Sequence, residues 1–404
     1  MNKFLIIEQD LRVSGTSQGI ISRSFLAKLR TAYPDSVIDV IYLKHQQSDD
    51  KLHLLPVNTI KTYILNLKIP FLTLWLNKIS WRLFHISLKE KFIHKVYRSY
   101  IKKIDFQAYD HIFIRSAGLN CETLLASRDL PILKSSIITF NEPYPTFWCS
   151  GSNKKLDALQ LFKVKEMQNV VEQAKGCIAT HYLAQDMQFL YGSRKKFNSL
   201  PHQYSEKVFD FSDINDVFEK KKQVTISYHG ALQFGRDIDI LLDTYVELIS
   251  ENSEIMNNSE FILRLKSEEF NRIKSKYSDI VNIRVLEGVN FSNAGYEQEY
   301  LTDINILLEN GPIYCSVLLG KAPFLANSGK AVFTLSPYRS ELREIIQNPK
   351  YIASYNSKDE IKTKLSNLII ECLNGHNKHQ PFGDYFSDEN FKNCITNIIE
   401  NTDG

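Results

Sequence analysis

Basic residues in the second half of the sequence follow predicted β-strands, at positions where phosphate groups are commonly bound. Gly230 ends the predicted strand QVTISYHG, and Arg236 opens the helix that comes after the loop. Lys266 follows the strand EFILRL, and Lys321 lies between two later strands. A guanidinium group stays charged and can bind phosphate oxygens through two parallel hydrogen bonds. These residues therefore predict a pyrophosphate site.

Acidic residues near this site suggest a nucleotide contact and no metal. Glu309 and Asn310 end the predicted strand INILLE, where the Glu309 carboxylate could accept both hydroxyls of a ribose. Asp237 and Asp239 imitate a DxD metal motif. Acids in the first turn of a helix are explained by the helix dipole alone, so we predict no metal ion here.

Polar residues also follow two predicted strands in the first half. Asn141 and Glu142 come after SSIITF, where open α/β sheets collect ligands, and Glu142 could be a base or orient an acceptor. His181 ends GCIATH and could bond a sugar hydroxyl or a phosphate. The alternative interpretations are an ordinary rigid loop and a capping or packing histidine.

A small-residue loop separates the first predicted strand from its helix. Its residues Gly15, Thr16 and Gly19 would allow a tight turn and an anion at the helix N-terminus. The spacing is only GxxxG, and a plain βα turn would explain it as well. A dinucleotide fingerprint needs GxGxxG, so its absence argues against a dehydrogenase.

Two series of strands and helices must position these residues. The chain has 404 residues and 43% hydrophobic content, enough for two cores. The alternation predicts an α/β fold with two Rossmann-like domains facing each other across a cleft. We place the first domain at 1–203, a linker at 204–222, the second domain at 223–385, and at 386–404 a helix that could belong to either domain.

Composition limits the class of protein and its compartment. A net charge of +3 is small for this length and argues against a nucleic-acid partner. The six cysteines are widely scattered, which fits a reducing compartment. The sequence begins directly with a predicted strand, KFLIIEQD, and no apolar stretch is long enough to span a bilayer. We therefore expect a cytoplasmic protein.

One segment differs from this balanced composition. Between Lys61 and Lys103 there are ten basic residues and a single acid, Glu90, interleaved with large apolar residues that include Trp75 and Trp81. This pattern suits a surface that rests on anionic lipid at the inner face of the plasma membrane. The alternative is a helical insertion that packs its apolar side on the first domain and leaves the lysines solvated.

Several segments resemble glycosyltransferase family 4 and related enzymes of the GT-B fold. These are HGALQFGRDIDILL, DINILLENGP, GKAPFLANSGKAVFTLSP and, in the first half, GCIATHYLAQDM. The resemblance implies metal-independent transfer from a nucleoside-diphosphate sugar of the UDP or GDP type, without a further cofactor. It also implies that the second domain binds the donor and the first domain a saccharide or lipid-linked acceptor, in surface polysaccharide or glycolipid synthesis.

The sequence departs from the family pattern at two places. The glutamate of the GK-x-x-E segment is replaced by Phe324, and the histidine that many members carry in the first domain aligns with Asn141 or Glu142. The assignment of Asn141, Glu142 and His181 as catalytic residues is thus an expectation. Two alternatives stay open, an inactive GT-B-like binding or scaffold protein and a nucleotide-sugar epimerase.

Overall fold

The chain divides into two α/β units. The structure, a computed structural model, describes residues 2–13, 17–48, 50–192, 195–266, 268–311, 313–376 and 378–403. Unit 1 comprises Met1–Phe209 and Ser387–Gly404, and unit 2 comprises Asp210–Phe386. The division after Phe209 falls within the segment 204–222 in which the sequence analysis places the linker.

Unit 1 is built on a seven-stranded parallel sheet in the order β3-β2-β1-β4-β5-β6-β7. Its strands are β1 (Lys3–Glu8), β2 (Val37–Lys44), β3 (Thr59–Ile64), β4 (His111–Arg115), β5 (Ser136–Thr139), β6 (Gly176–Ala179) and β7 (Phe197–Ser199). The helices are α1 (Ser17–Ala32), α2 (Phe71–Phe84), α3 (Leu88–Ile101), α4 (Glu122–Ser127), α5 (Pro131–Lys134), α6 (Ala158–Gln173) and α7 (His181–Tyr191). The central strands are buried along their length, because helices cover both faces of a parallel sheet.

Unit 2 repeats this plan with six parallel strands in the order β10-β9-β8-β11-β13-β15. The strands are β8 (Val224–Gly230), β9 (Ser259–Leu265), β10 (Ile283–Glu287), β11 (Ile304–Leu308), β12 (Tyr314–Cys315), β13 (Ala331–Ser336), β14 (Arg339–Ser340) and β15 (Ile352–Ser354), of which β12 and β14 form a separate pair. The helices are α8 (Asp239–Glu251), α9 (Ser253–Asn258), α10 (Phe270–Lys276), α11 (Phe291–Tyr296), α12 (Ala322–Ser328), α13 (Glu341–Ile345) and α14 (Lys358–Leu373). A π-helical turn, Glu297–Leu301, follows α11.

The last helix, α15 (Asp388–Asp403), returns to unit 1. It packs on α1, where the Phe391 ring stands edge-on to Phe25 at a centroid distance of 5.9 Å. Thr396 and Tyr33 share a hydrogen bond of 3.1 Å between their hydroxyl groups. The helix left open at 386–404 in the sequence analysis is therefore part of unit 1.

The basic and apolar segment between Lys61 and Lys103 forms most of β3, all of α2 and α3, and the turns between them. Strand β3 is the edge of the unit 1 sheet, and α2 packs against α3. Among the described residues, no helix is both long enough and apolar enough to cross a membrane.

Candidate functional site

Residues predicted from strand ends meet at one edge of the unit 2 sheet. Gly230 ends β8, and Asn310 follows the neighbouring strand β11. The Arg236 Nε donates a hydrogen bond of 2.9 Å to the Asn310 Oδ1. Its Nη1 lies 3.5 Å from the carbonyl oxygen of Ala231. The guanidinium group is thus held by an amide and a carbonyl.

Lys321 reaches the same point from the residue before α12. Its Nζ lies 5.1 Å from the centroid of the Tyr228 ring. A Cβ atom added to Gly230 would lie only 2.6 Å from this Nζ, so a side chain at position 230 would displace the ammonium group. Burial, and then the charge of Arg236, lower the pKa of Lys321 to about 7.

Among the residues that the structure describes, no acid pairs with the two cations at this edge. Within the described ranges, neither Arg236 nor Lys321 forms an ion pair with a carboxylate. Burial and the neighbouring Arg236 disfavour the positive charge of Lys321, and an anion bound beside the ammonium group would stabilise that charge. The Arg236 guanidinium can donate two parallel hydrogen bonds, and the Lys321 ammonium is a compact positive charge. Together the two groups suit a diphosphate.

The loop between β8 and α8 has the backbone needed to carry Arg236 to this place. Phe234 and Gly235 both adopt positive φ angles, 56° and 74°. The Gly311 N–H donates to the Phe234 carbonyl oxygen at 2.9 Å, which ties this loop to the end of β11. The local turn therefore fixes the distance between Arg236 and Asn310.

Lys266 lies at the same edge, one strand further along. Its backbone N–H donates to the Gly230 carbonyl oxygen at 3.1 Å. The Lys266 side chain is exposed and lies over Gly288, where a Cβ atom would approach its Cγ to 2.2 Å. A phosphate role for Lys266 stays a prediction.

Glu309 follows β11, but its side chain is fully buried. Its Oε1 accepts a hydrogen bond of 3.1 Å from the Leu342 N–H in the first turn of α13. Burial raises the pKa of Glu309 to about 7, although the nearby hydroxyl groups of Ser340 and Ser336 act against this rise. The Glu309 carboxylate contacts α13 in this structure, and its contact with ribose hydroxyls stays a prediction.

A buried ionic cluster beneath this edge was not predicted. The Glu297 carboxylate lies 2.7 Å from the His229 Nε2 and accepts a hydrogen bond of 2.6 Å from the Arg264 Nη2. Burial, only partly opposed by the Glu297 carboxylate, lowers the pKa of His229. The cluster ties the π-helical turn to β8 and β9. The sequence gives one sign of this cluster, which is that His229 and Arg264 lie within the largely apolar strands β8 and β9.

The acids of the DxD sequence form ion pairs and hydrogen bonds within unit 2. Asp239 forms ion pairs of 2.7 Å with Arg272 and 2.9 Å with Lys276. The Asp237 carboxylate accepts a hydrogen bond of 2.8 Å from the Asp239 N–H at the start of α8. Among the described residues, no group of three or more His, Cys, Asp or Glu side chains is arranged to hold a metal ion.

The unit 1 residues predicted to be catalytic also lie at a carboxyl sheet edge. Asn141 is buried, and its Nδ2 lies 3.5 Å from the Ser116 carbonyl oxygen after β4. Glu142 is partly exposed. Burial raises the pKa of the nearby Cys121 thiol, and the charges of Glu122 and, less strongly, Glu142 add to this rise. His181 is the first residue of α7, and its Nε2 lies 3.0 Å from the Gln185 Nε2.

Gln9, which the sequence analysis did not single out, links the strands of this edge. It follows β1, and its Oε1 accepts hydrogen bonds of 3.2 Å from the Ala117 N–H and 3.3 Å from the Ser116 hydroxyl. Its Nε2 donates to Glu122 at 2.8 Å. Asn141 and Gln9 thus both contact Ser116, so β1, β4 and β5 contribute to one polar cluster.

The predicted small-residue loop is only partly described. Gly15 and Thr16 lie outside the described residues. Gly19 lies in α1, where an added Cβ atom would be 2.3 Å from the carbonyl oxygen of Arg12. Glycine at this position is therefore required by the close approach of the chain after β1.

Comparison with known proteins finds similarity in structure and not in sequence. No protein-family model matches the chain, and no curated protein matches it. Sucrose-phosphate synthase from Thermosynechococcus elongatus superposes with a TM-score of 0.58 at 10% identity, covering 100% of this chain and 96% of that one. S. aureus TarM, solved with Fondaparinux, alpha-GlcNAc-glycerol and UDP, gives 0.60 at 9% identity over 99% and 100%.

A protein described as a UDP-N-acetylglucosamine 2-epimerase from Listeria monocytogenes gives a TM-score of 0.56 at 10% identity, over 99% of this chain and 97% of that one. Identities this low establish the fold alone. The predicted α/β class with two Rossmann-like domains is confirmed, and this chain shares the GT-B fold along nearly its whole length.

Proposed function

We propose that this protein is a glycosyltransferase that transfers a sugar from a nucleoside-diphosphate sugar, of the UDP or GDP type, to a saccharide or lipid-linked acceptor. The observation that supports it most is the pair Arg236 and Lys321, two cations without a carboxylate partner in the described part of unit 2. Structural relatives include proteins solved with UDP and with UDP-2-fluoro glucose.

The difficult event in such a transfer is the departure of the nucleoside diphosphate. Negative charge grows on the leaving phosphate as the bond to the sugar breaks. Arg236 and Lys321 would stabilise this charge directly, as prearranged donors that need little reorganisation. A lysine whose pKa lies near 7 would take up a proton as the diphosphate binds. In this proposal no metal ion is required.

Unit 1 would hold the acceptor. Asn141 and Glu142 stand after β5 and His181 stands at the start of α7, so polar groups are available for sugar hydroxyls. Glu142 would act as the base or orient the acceptor, and His181 would bond a hydroxyl or phosphate. We place the protein in the cytoplasm, at the inner face of the plasma membrane, in surface polysaccharide or glycolipid synthesis.

Two alternatives are each favoured by one observation. Phe324 occupies the position of the family glutamate, and it is buried and stands edge-on to Phe291 at 6.3 Å, which favours an inactive binding protein. The structural similarity to the Listeria protein favours an epimerase. Both alternatives retain a nucleotide site at Arg236 and Lys321.

A panel of nucleotide sugars, incubated with and without candidate saccharide and lipid-linked acceptors, separates these functions. A transferase releases nucleoside diphosphate in proportion to glycosylated acceptor, and the Lys321→Ala variant releases much less. Epimerised sugar without an acceptor would identify an epimerase. Tight nucleotide-sugar binding with no turnover on any acceptor would favour the binding protein.

A further inference from the structure

Helix α2 presents its apolar residues outward and its polar residues to the protein. Of its fourteen residues, only Thr73, Asn77 and Ser80 are partly buried, and all three are polar. The spacing of four and three residues places them on one face. The eleven exposed residues are two basic ones and nine large apolar ones, namely Phe71, Leu72, Leu74, Trp75, Leu76, Ile79, Trp81, Leu83 and Phe84.

The polar face makes specific contacts with the rest of unit 1. The Asn77 Oδ1 accepts a hydrogen bond of 3.1 Å from the Lys89 N–H, in the first turn of α3. The Ser80 hydroxyl donates to the Ile86 carbonyl oxygen at 3.1 Å. These bonds fix which side of α2 faces the protein. The large apolar side chains therefore point away from the protein core. Phe71, for example, is 83% exposed.

The distribution of apolar residues around α2 favours contact with a lipid bilayer over contact with a second protein. A second protein would cover one side of α2, whereas the exposed apolar residues surround the helix on all sides except the polar face. Fourteen residues extend about 21 Å, which is less than the roughly 30 Å of a bilayer core. The helix is therefore suited to lie in the plane of the interface. Trp75 and Trp81 are of the type enriched at this boundary.

The surrounding charge matches an anionic lipid surface. Of the ten basic residues and one acid between Lys61 and Lys103, the acid Glu90 is paired with Lys163 at 2.7 Å. Lys89, Lys91 and Lys95 of α3 are exposed. Lysines close to such a surface add to binding through lipid phosphates.

We propose that α2 inserts into the headgroup and acyl boundary of an anionic bilayer. Its apolar side chains enter the lipid, and the lysines of α3 contact phosphates at the surface. Membrane binding requires no nucleotide sugar, so this inference does not depend on the proposed enzymatic activity.

Tryptophan fluorescence tests the insertion directly, because the chain has only three tryptophans, Trp75, Trp81 and Trp148. In a Trp148→Phe variant the emission should move to shorter wavelength with vesicles containing phosphatidylglycerol, and lipids brominated on the acyl chain should quench it. In the matched control, Trp75→Phe with Trp81→Phe, the remaining Trp148 should be neither shifted nor quenched. Unchanged emission from Trp75 and Trp81 would overturn the proposal.

Vesicle flotation of the full chain adds a test by substitution. Leu72→Asp with Leu76→Asp should reduce binding at least tenfold, while Phe189→Asp, an exposed apolar residue of α7, should leave it unchanged. Lys89→Gln with Lys95→Gln should weaken binding to anionic vesicles on the order of thirtyfold. Equal binding by all variants would contradict the proposal. So would a lipid-independent dimer that the Leu72→Asp and Leu76→Asp changes dissociate.

Discussion

At the scale of single residues, the cations of unit 2 fall into two kinds. Arg264 is buried and paired with the Glu297 carboxylate at 2.6 Å, so its charge is neutralised within the fold. Arg236 and Lys321 have only neutral partners in the described part of the chain. A partly buried charge without a counter-ion is costly, and an anionic ligand would supply the counter-charge. This contrast supports our proposal that the two residues bind an anionic ligand.

Replacing Arg236 by alanine should weaken the binding of nucleoside diphosphates more than tenfold. The variant loses charge-assisted hydrogen bonds to the phosphates, each worth about 1.5–3 kcal/mol. Isothermal titration calorimetry with UDP and GDP measures the effect. Lys274→Ala, at an exposed position of α10, is the control that removes the same charge and should bind normally. Equal affinity of the Arg236→Ala variant would exclude a phosphate role for Arg236.

The lowered pKa of Lys321 predicts that nucleotide affinity depends on pH. Above pH 7 the unliganded lysine is increasingly neutral, so binding a diphosphate must first recover a proton. The dissociation constant should therefore rise between pH 7 and 8.5, approaching tenfold per pH unit. The phosphate itself is already ionised there, since its second pKa is about 6.

Lys321→Arg provides the control for this pH profile. A guanidinium group stays protonated throughout the range, so the affinity of this variant should be flat between pH 7 and 8.5. The same rise in the dissociation constant in both proteins would assign the titration to another group. The assignment to Lys321 would then be wrong.

At the scale of elements, Glu309 connects β11 to α13. Its buried carboxyl group has a pKa raised from 4.5 to about 7, and one oxygen accepts the Leu342 N–H. Between these two pH values the folded protein holds a proton that the unfolded chain has released. The free energy of unfolding should accordingly fall as pH rises through this window, by up to about 3 kcal/mol.

Glu309→Gln removes this titration and keeps an oxygen for the Leu342 N–H. Chemical denaturation at pH 4.5, 6 and 7.5 should show a smaller loss of stability with rising pH in the variant than in the parent protein. If the two proteins lose stability in parallel, Glu309 is already ionised in the fold, and its burial does not control its pKa.

The strands that are buried on both faces of a sheet could be predicted from the sequence. Strands such as β1 and β11 are mainly apolar because both faces of a parallel sheet are covered. Strand β3 was not predicted, since as an edge strand it is exposed or partly exposed along its length. Strands β7 and β15 have three residues each, too few for a periodic pattern.

The residues of the candidate site could be predicted where they follow strand ends, but not where they depend on long-range contacts. Gly230, Arg236 and Asn310 could be predicted to lie close together, because the carboxyl ends of parallel strands meet at one edge of the sheet. The pairing of His229 with Glu297 was not, because the two residues are 68 positions apart and the pairing depends on the π-helical turn. No local pattern in the sequence specifies such a long-range contact.

At the scale of the whole molecule, two Rossmann-like units occur in one chain, and the proposed nucleotide site uses only one of them. A nucleoside diphosphate should therefore stabilise unit 2. At a ligand concentration one hundred times the dissociation constant, the free energy of unfolding should rise by about 2.7 kcal/mol. Hydrogen exchange with and without UDP measures where this protection falls.

The expected protection lies in β8, which ends at Gly230, in β11, which precedes Asn310, and in the first turn of α12, which follows Lys321. The central strands of unit 1 serve as the internal control, and their exchange should change less. Protection confined to the unit 1 sheet would show that the nucleotide binds unit 1, which would contradict our proposal.

The most direct test of the central claim is a crystal structure with a nucleoside diphosphate bound. We expect phosphate oxygens within about 2.7–3.2 Å of both the Arg236 guanidinium and the Lys321 Nζ. A nucleotide bound elsewhere, with these two cations left facing solvent, would contradict it.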